Sequence, residues 1–168
     1  MANSVDFRVP RTARNSEDYE QLFCDVTEAI WPDGQEAEAL AHIAQGTPGQ
    51  RALFVTTLFA RLVDNGGLAG FFGPAGFYCD DVTEGLRLLG AHDMHKAFLE
   101  GLSIITKGEA VPMDGEAREG MIYRLSGRDT ELLDSIDDRL YQDSSVEASL
   151  FPNFKQYTDA HPDEFFRG

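Results

Sequence analysis

The stretch Thr47-Pro48-Gly49-Gln50-Arg51-Ala52-Leu53-Phe54-Val55-Thr56-Thr57-Leu58-Phe59-Ala60-Arg61-Leu62-Val63-Asp64-Asn65-Gly66-Gly67-Leu68-Ala69-Gly70-Phe71-Phe72-Gly73-Pro74-Ala75-Gly76 decides the fold of this chain. Thr47 suits an N-cap, Pro48 the first helical position, and Gln50 completes a capping box. Leu53, Phe54, Leu58 and Leu62 then recur at helical spacing, and Gly66 is a natural stop. Gly67 to Gly76 is glycine-rich and apolar. It reads as a tight interhelix turn that plugs Phe71 and Phe72 into the core, its glycines permitting positive φ and close backbone approach. Asn65 serves there as a local cap or bonds loop amides. The stretch is not a phosphate loop, because the Lys-Ser/Thr pair and a preceding strand are both missing. Nor does it fit G-x-G-x-x-G in a βαβ setting.

Helical spacing extends outward from it on both sides. Ser16 is a plausible N-cap for a helix with Tyr19, Leu22, Phe23, Val26 and Ile30 on one face, closed by Trp31-Pro32-Asp33-Gly34. A short helix passes through Ala37, Leu40 and Ile43 and stops at Gly46. After the central stretch come helices over Asp81–Leu89, closed by Gly90, and over His92–Thr106, with Met94, Phe98, Leu102 and Ile105 on a face. Lys107–Gly115 reads as a linker. A helix through Ala117, Met121 and Leu125 follows, weakened by Gly120. Leu132, Leu133, Ile136 and Leu140 define the next. The last spans Val146–Ala160, where Pro152 must start or kink it, and His161-Pro162 ends it. The only β-branched-rich run, Arg51–Thr57, has flanks that favour helix. The expected fold is all-α: a compact single-domain multi-helix bundle with short loops over residues 16–168, behind a flexible N-terminal arm at residues 1–15.

The 168 residues carry 14 Lys+Arg against 29 Asp+Glu, a net charge of −15, yet 42% are hydrophobic and 12 are Phe. That is enough apolar material for a core, so the charge does not imply disorder. Direct binding of nucleic acid is excluded, since its phosphates would be repelled and no basic stripe exists to release counterions. An anionic membrane surface is disfavoured likewise, and no segment is long and apolar enough to span a bilayer. No apolar run follows Arg8, Arg11 and Arg14, so the N-terminus is not a signal peptide. Cys24 and Cys79 make no disulfide framework; they read as packing groups in a reduced, cytoplasmic protein. Residues 1–14 are net +2, 15–50 net −8, 51–107 net −1 and 108–168 net −8. A nearly neutral, apolar middle therefore lies between two acidic flanks.

Within those flanks Glu131, Asp134 and Asp138 stand at i, i+3 and i+7, opposite the Leu132/Leu133/Ile136/Leu140 face, and Asp137 is one i+3 step from Asp134. They climb the helix in steps of roughly 4.5–6 Å. Phosphates along a DNA strand have a comparable spacing, ~3.4 Å of axial rise per charge plus the helical offset. Asp18, Asp25 and Glu28 line a second acidic ridge on the first helix. Such faces either imitate the DNA backbone for a basic partner or simply keep a protein soluble, and charge alone favours the second. The histidines are His42, His92, His95 and His161. His92 and His95 lie three apart on a helix start but lack a third ligand, and H-E-x-x-H is absent, so no metal site is assigned. His161 suits a helix end. No G-x-S-x-G elbow is present, and with so many acids close carboxylate pairs are commonplace. No catalytic residue and no cofactor is assigned.

Val63-Asp64-Asn65-Gly66-Gly67-Leu68-Ala69-Gly70-Phe71-Phe72 resembles the hallmark of the DNA-mimic protein (DMP-type) family, a bacterial all-helical domain family whose pattern runs roughly V-x-N-G-G-F-x-Q-F/Y-F. Asn65, Gly66, Gly67, Phe71 and Phe72 match; Leu68 replaces the usual aromatic and Gly70 the usual Gln. Glu84–Ala91, Leu132–Leu140 and Tyr157–Phe165 resemble further family segments in consistent order over about residues 16–166. The resemblance implies an all-helical domain in which the motif residues are structural. One branch of the family covers the DNA-binding face of a transcriptional repressor with its acidic surface and relieves repression. Taken with the acidic faces above, the expectation is a non-enzymatic monomer or homodimer that binds a basic DNA-binding protein, such as a transcription regulator, through Asp18, Asp25, Glu28, Glu131, Asp134, Asp137 and Asp138. Two alternatives stay open. One is an immunity-type or regulatory module neutralising a basic toxin or enzyme. The other is an enzyme using the Asp64/Asn65 region with His92 or His95.

Overall fold

The computed structural model describes residues 7–10, 19–30, 36–141 and 144–167. Its helices are α1 (Tyr19–Ile30), α2 (Glu36–Ile43), α3 (Pro48–Ala75), α4 (Cys79–Leu88), α5 (His92–Thr106), α6 (Gly115–Tyr123), α7 (Gly127–Leu140), α8 (Val146–Ala160) and α9 (Pro162–Phe165). The fold is all-α. Among the described residues the one extended feature is a two-residue parallel pairing of β1 (Val9–Pro10) with β2 (Phe166–Arg167). Helix α3 is the hub: α1, α4, α6, α7 and α8 all pack on it.

The start of α3 is fixed as its sequence dictates. Thr47 Oγ1 accepts the Gln50 amide at 3.2 Å, and Gln50 Oε1 accepts the Thr47 amide at 3.0 Å. A third first-turn donor, the Gly49 amide, goes to Glu164 Oε2 at 2.6 Å, from the far end of the chain. Tyr157 also donates its hydroxyl to Glu164, at 3.1 Å. A Cβ at Gly49 would lie 2.6–2.8 Å from Tyr157, Glu164 and Phe165, so only glycine lets the C-terminal segment close over this helix start.

The first helical segment ends at Gly66, as its sequence suggests, but Gly67–Gly76 is not a turn. The axis breaks at Gly66 (φ −159°, ψ 21°) and Gly67 (φ 66°, ψ −170°), and the helix resumes to Ala75. The reason is periodicity: Leu68, Phe71, Phe72 and Ala75 fall at i, i+3, i+4 and i+7, all buried. Phe71 and Phe72 do reach the core, each 1% exposed, but on a helix face. Phe59, Phe71 and Phe98 form an edge-to-face cluster with centroids 5.1–5.9 Å apart. Such pairs add about 0.5–1.5 kcal/mol each beyond their burial. Leu68 seats on Gly101 of α5, where a Cβ would come within 2.3 Å of its Cδ1.

At the end of α3 the last-turn carbonyls meet a buried cation. Arg118 of α6 is 1% exposed. It donates to Gly73 O at 2.9 Å, Pro74 O at 3.5 Å and Pro112 O at 2.9 Å, and also to Met113 O. Its guanidinium lies 5.2 Å from the Phe77 ring centroid. A positive charge at a helix C-terminus also opposes the helix dipole favourably.

Helix α5 has the extent expected from sequence, and α4 begins at Cys79, two residues early. Caps at Asp114 and Ser126 start α6 and α7. Helix α8 begins at Val146, capped by Ser145, and Pro152 lies inside it on an exposed turn rather than at its start. His161 ends α8 and stacks on Tyr157 at 4.4 Å. Phe7 and Val9 are buried, and Phe7 meets His42 edge-on at 5.1 Å. Within the arm expected at residues 1–15, Phe7–Pro10 are thus packed on the domain by core contacts and the β1–β2 pairing. The Ser16 cap and the Trp31–Gly34 helix end lie outside the described residues. Leu132, expected on the inward face of α7, is 46% exposed.

Candidate protein-binding surface

Helix α7 carries the clearest acidic face. Its N-terminus is a capping box: Ser126 Oγ accepts the Asp129 amide at 3.2 Å and Asp129 Oδ2 accepts the Ser126 amide at 3.0 Å. Asp129 also takes a bond from Lys107 Nζ at 2.9 Å, and these bonds, Lys107 foremost, hold its carboxyl down at about 2. Leu133, Ile136 and Leu140 anchor the helix inward. That orientation leaves Glu131, Asp134 and Asp138 exposed, and among the described residues none of the three has a cationic partner. By contrast Glu84, Glu100, Asp129, Glu147 and Asp159 are paired with Arg87, Arg139, Lys107, Arg61 and Lys155.

Asp137 behaves differently from its neighbours. It is half-buried, and its Oδ1 accepts the Leu68 amide at 3.0 Å, which caps the resumed half of α3. Burial pushes its carboxyl above the ordinary value, with Asp134 and Asp138 adding to the rise and the Leu68 bond opposing it. Tyr141, one turn on, donates to Val63 O on the other side of the break. Gly67 is obligatory here: its φ is positive, and a Cβ would lie 2.1 Å from Asp137 Oδ2.

Asp64 and Asn65 are engaged in the same construction. Asp64 accepts the Val146 and Glu147 amides at 2.7 and 3.1 Å, capping α8, and Asn65 Nδ2 donates to Arg61 O at 2.7 Å. His92 and His95 sit at the start of α5. Their neighbouring cavities are lined by Gly90, Ala91 and residues of α5, α7 and α8, and by neither Asp64 nor Asn65. Among the described residues no group of three His, Cys, Asp or Glu is arranged to hold a metal ion. Cys24 and Cys79 are free thiols, and burial pushes Cys79 up to about 12.

On α1, Asp25 is half-buried and accepts from Gln21 Nε2 at 2.7 Å, while Glu28 is exposed. Asp18 lies outside the described residues. Helix α1 packs on α3 and α8, and α7 on α5 and α3, so the two acidic ridges share α3 as a neighbour.

One feature of this face is not evident from sequence. Between α5 and α7 runs a groove of about 740 Å³, walled by Leu99, Ile104, Leu132 and Ile136 and edged by His95, Lys96, Glu100, Ser103, Ser135 and Arg139. Leu99 and Leu132 are 40% and 46% exposed. Two adjacent leucines in the sequence, Leu132 and Leu133, gave no sign of which one turns outward.

Fold and surface together define an all-α protein that presents an acidic helix face beside an apolar groove. The model of the family described as DMP19-like protein matches residues 44–161, more than two thirds of the chain. The chain belongs to the DMP19-like protein family. No curated protein and no solved structure matches it. No described helix is long and apolar enough to cross a membrane.

Proposed function

We propose that this protein binds the DNA-contacting surface of a basic DNA-binding protein, such as a transcription regulator, and competes there with DNA. The observation that carries the reading is the row Glu131, Asp134 and Asp138: three exposed carboxylates at i, i+3 and i+7 with no cation among the described residues to neutralise them. A net charge of −15 surrounds the row with a field that attracts basic surfaces and repels nucleic acid. The family membership supports the same reading. Asp137 contributes through the fold, by holding α7 against the α3 break. Asp25 and Glu28 extend the acidic surface on α1.

Affinity capture at low salt tests this. Immobilised wild-type protein should retain DNA-binding proteins from a bacterial lysate, and Glu131→Gln/Asp134→Asn/Asp138→Asn protein should not. Recovery of no DNA-binding protein, or equal recovery by both, would overturn the reading. A captured partner that does not bind DNA would favour the immunity-type module instead.

A further inference from the structure

The groove between α5 and α7 lies beside the acidic row, on the same helix. The pairings Lys107–Asp129 and Glu100–Arg139 show that the two helices run antiparallel. Its α5 wall runs from His95 to Ile104, about 14 Å at the helical rise. At about 100° per residue, Leu132, Ser135, Ile136 and Arg139 occupy one stripe of α7 and Glu131, Asp134 and Asp138 the next, with Ser135 and Glu131 only about 40° apart. Going round α7, the surface passes from core to Leu132, then across Arg139 and Ser135 of the groove rim, to the exposed carboxylates. The floor is Ile136, 4% exposed, and the two lips are Leu99 and Leu132. An elongated cleft with open leucine lips suits an inserted row of side chains better than an enclosed small molecule.

We infer that this groove receives a basic amphipathic helix of the partner, about ten residues long. Its Leu, Ile or Phe side chains enter between Leu99 and Leu132, and its Lys and Arg face Glu131, Asp134 and Asp138. The charge row and the groove fix the occupant's chemistry together: apolar residues on one stripe, cations on the adjacent one. The inference rests on the proposed binding of a basic partner and deepens it. Charge alone would accept any polycation, whereas the groove selects one that carries an apolar face, and residues that bury apolar surface at the centre of a contact dominate affinity.

The test uses two synthetic helical peptides of equal length and charge. In one, Leu recurs at i, i+3, i+4 and i+7 among Lys residues; in the other, Gln replaces every Leu. Binding to the full chain is measured by titration at low salt. The Leu peptide should bind at least about tenfold more tightly, and Leu99→Ser/Leu132→Ser should remove that advantage, since both leucines are already exposed and the fold should survive. Amide shifts in labelled protein should cluster on α5 and α7. Equal binding of both peptides by wild-type and L99S/L132S proteins would overturn the groove, while the proposed function would stand if Glu131→Gln/Asp134→Asn/Asp138→Asn weakened both peptides. If that acidic variant weakened neither, the proposed function itself would fall. Concentration-dependent self-association abolished by Leu132→Ser would assign the groove to a second copy of this chain and also overturn the inference.

Discussion

The carboxylate of Asp137 on α7 accepts the backbone amide of Leu68, 69 positions earlier in the chain, at 3.0 Å. The helix that carries the acidic row is therefore bonded directly to the break in the central helix. Asp64 reaches from the same region to the first amides of α8. Helix starts in this fold are capped across the structure as well as locally, and the long-range acceptors Glu164, Asp137 and Asp64 are all acids.

Asp137 is expected to matter as an acceptor rather than as a charge. Replacing it with Ala leaves the Leu68 amide without its partner and should cost about 1–3 kcal/mol. Asn keeps an acceptor oxygen and removes a half-buried charge beside Asp134 and Asp138. Asp137→Asn should therefore be at least as stable as wild type. Urea unfolding of the three proteins checks this; equal damage by Asn and Ala would show that the charge is what counts.

Gly66 and Gly67 are adjacent yet should respond oppositely to alanine. Gly67 has φ 66° and ψ −170°, a region almost confined to glycine, and its Cβ would strike Asp137. Strain of about 1–3 kcal/mol plus loss of the cap should make Gly67→Ala strongly destabilising. A Cβ at Gly66 meets nothing within 4 Å, and its φ is negative. Gly66→Ala should shift the unfolding midpoint little. A similar loss at both positions would contradict the assigned break.

Local signals made much of this fold legible. The Thr47/Gln50 box and the apolar spacing of α5 stated their outcome outright, because both depend only on residues within a turn or two. The restart of a helix after Gly67 was hidden. Glycine is a stop signal locally, and the cap that restarts the helix comes from Asp137, far away in sequence. The acidic spacing on α7 was readable. The withdrawal of Asp137 from that surface was not, nor the outward turn of Leu132, since both follow from how α7 rotates against α5 and α3. Packing of Phe7 and Val9 against the domain depends on contacts between distant ends of the chain, which no local pattern reports.

Two aspartates of α7 should titrate in opposite directions. Asp137 is raised by burial, so its ionisation opposes folding; its favourable contribution exists at low pH and is lost as pH rises through its folded-state value. Asp129 is lowered to about 2, chiefly by Lys107, so its contribution is present above the ordinary value and lost as pH falls toward 2. Carboxyl ¹³C titration should show the two on either side of the ordinary aspartate value. The advantage of Asp137→Asn over wild type should grow as pH rises through the Asp137 transition and vanish below it. An advantage independent of pH would contradict the assignment.

Arg118 should be among the costliest residues to truncate. Arg118→Met removes the donors of the carbonyls of Gly73, Pro74, Pro112 and Met113 and should cost about 3 kcal/mol or more. Arg118→Lys keeps the charge but lacks the planar fork that reaches several carbonyls at once, so intermediate stability is expected. Thermal unfolding ranks the three proteins, and a Met variant as stable as wild type would show that the buried cation is dispensable.

The proposed competition with DNA for one surface has a direct test. Once affinity capture has supplied a DNA-binding partner, a labelled duplex bound to it can be titrated with this protein at two ionic strengths. The duplex should be displaced stoichiometrically at low salt, displacement should weaken steeply as salt rises, and Glu131→Gln/Asp134→Asn/Asp138→Asn should abolish it with the fold intact. A ternary complex in which partner, duplex and this protein coexist, or displacement by the triple variant equal to wild type, would contradict the account.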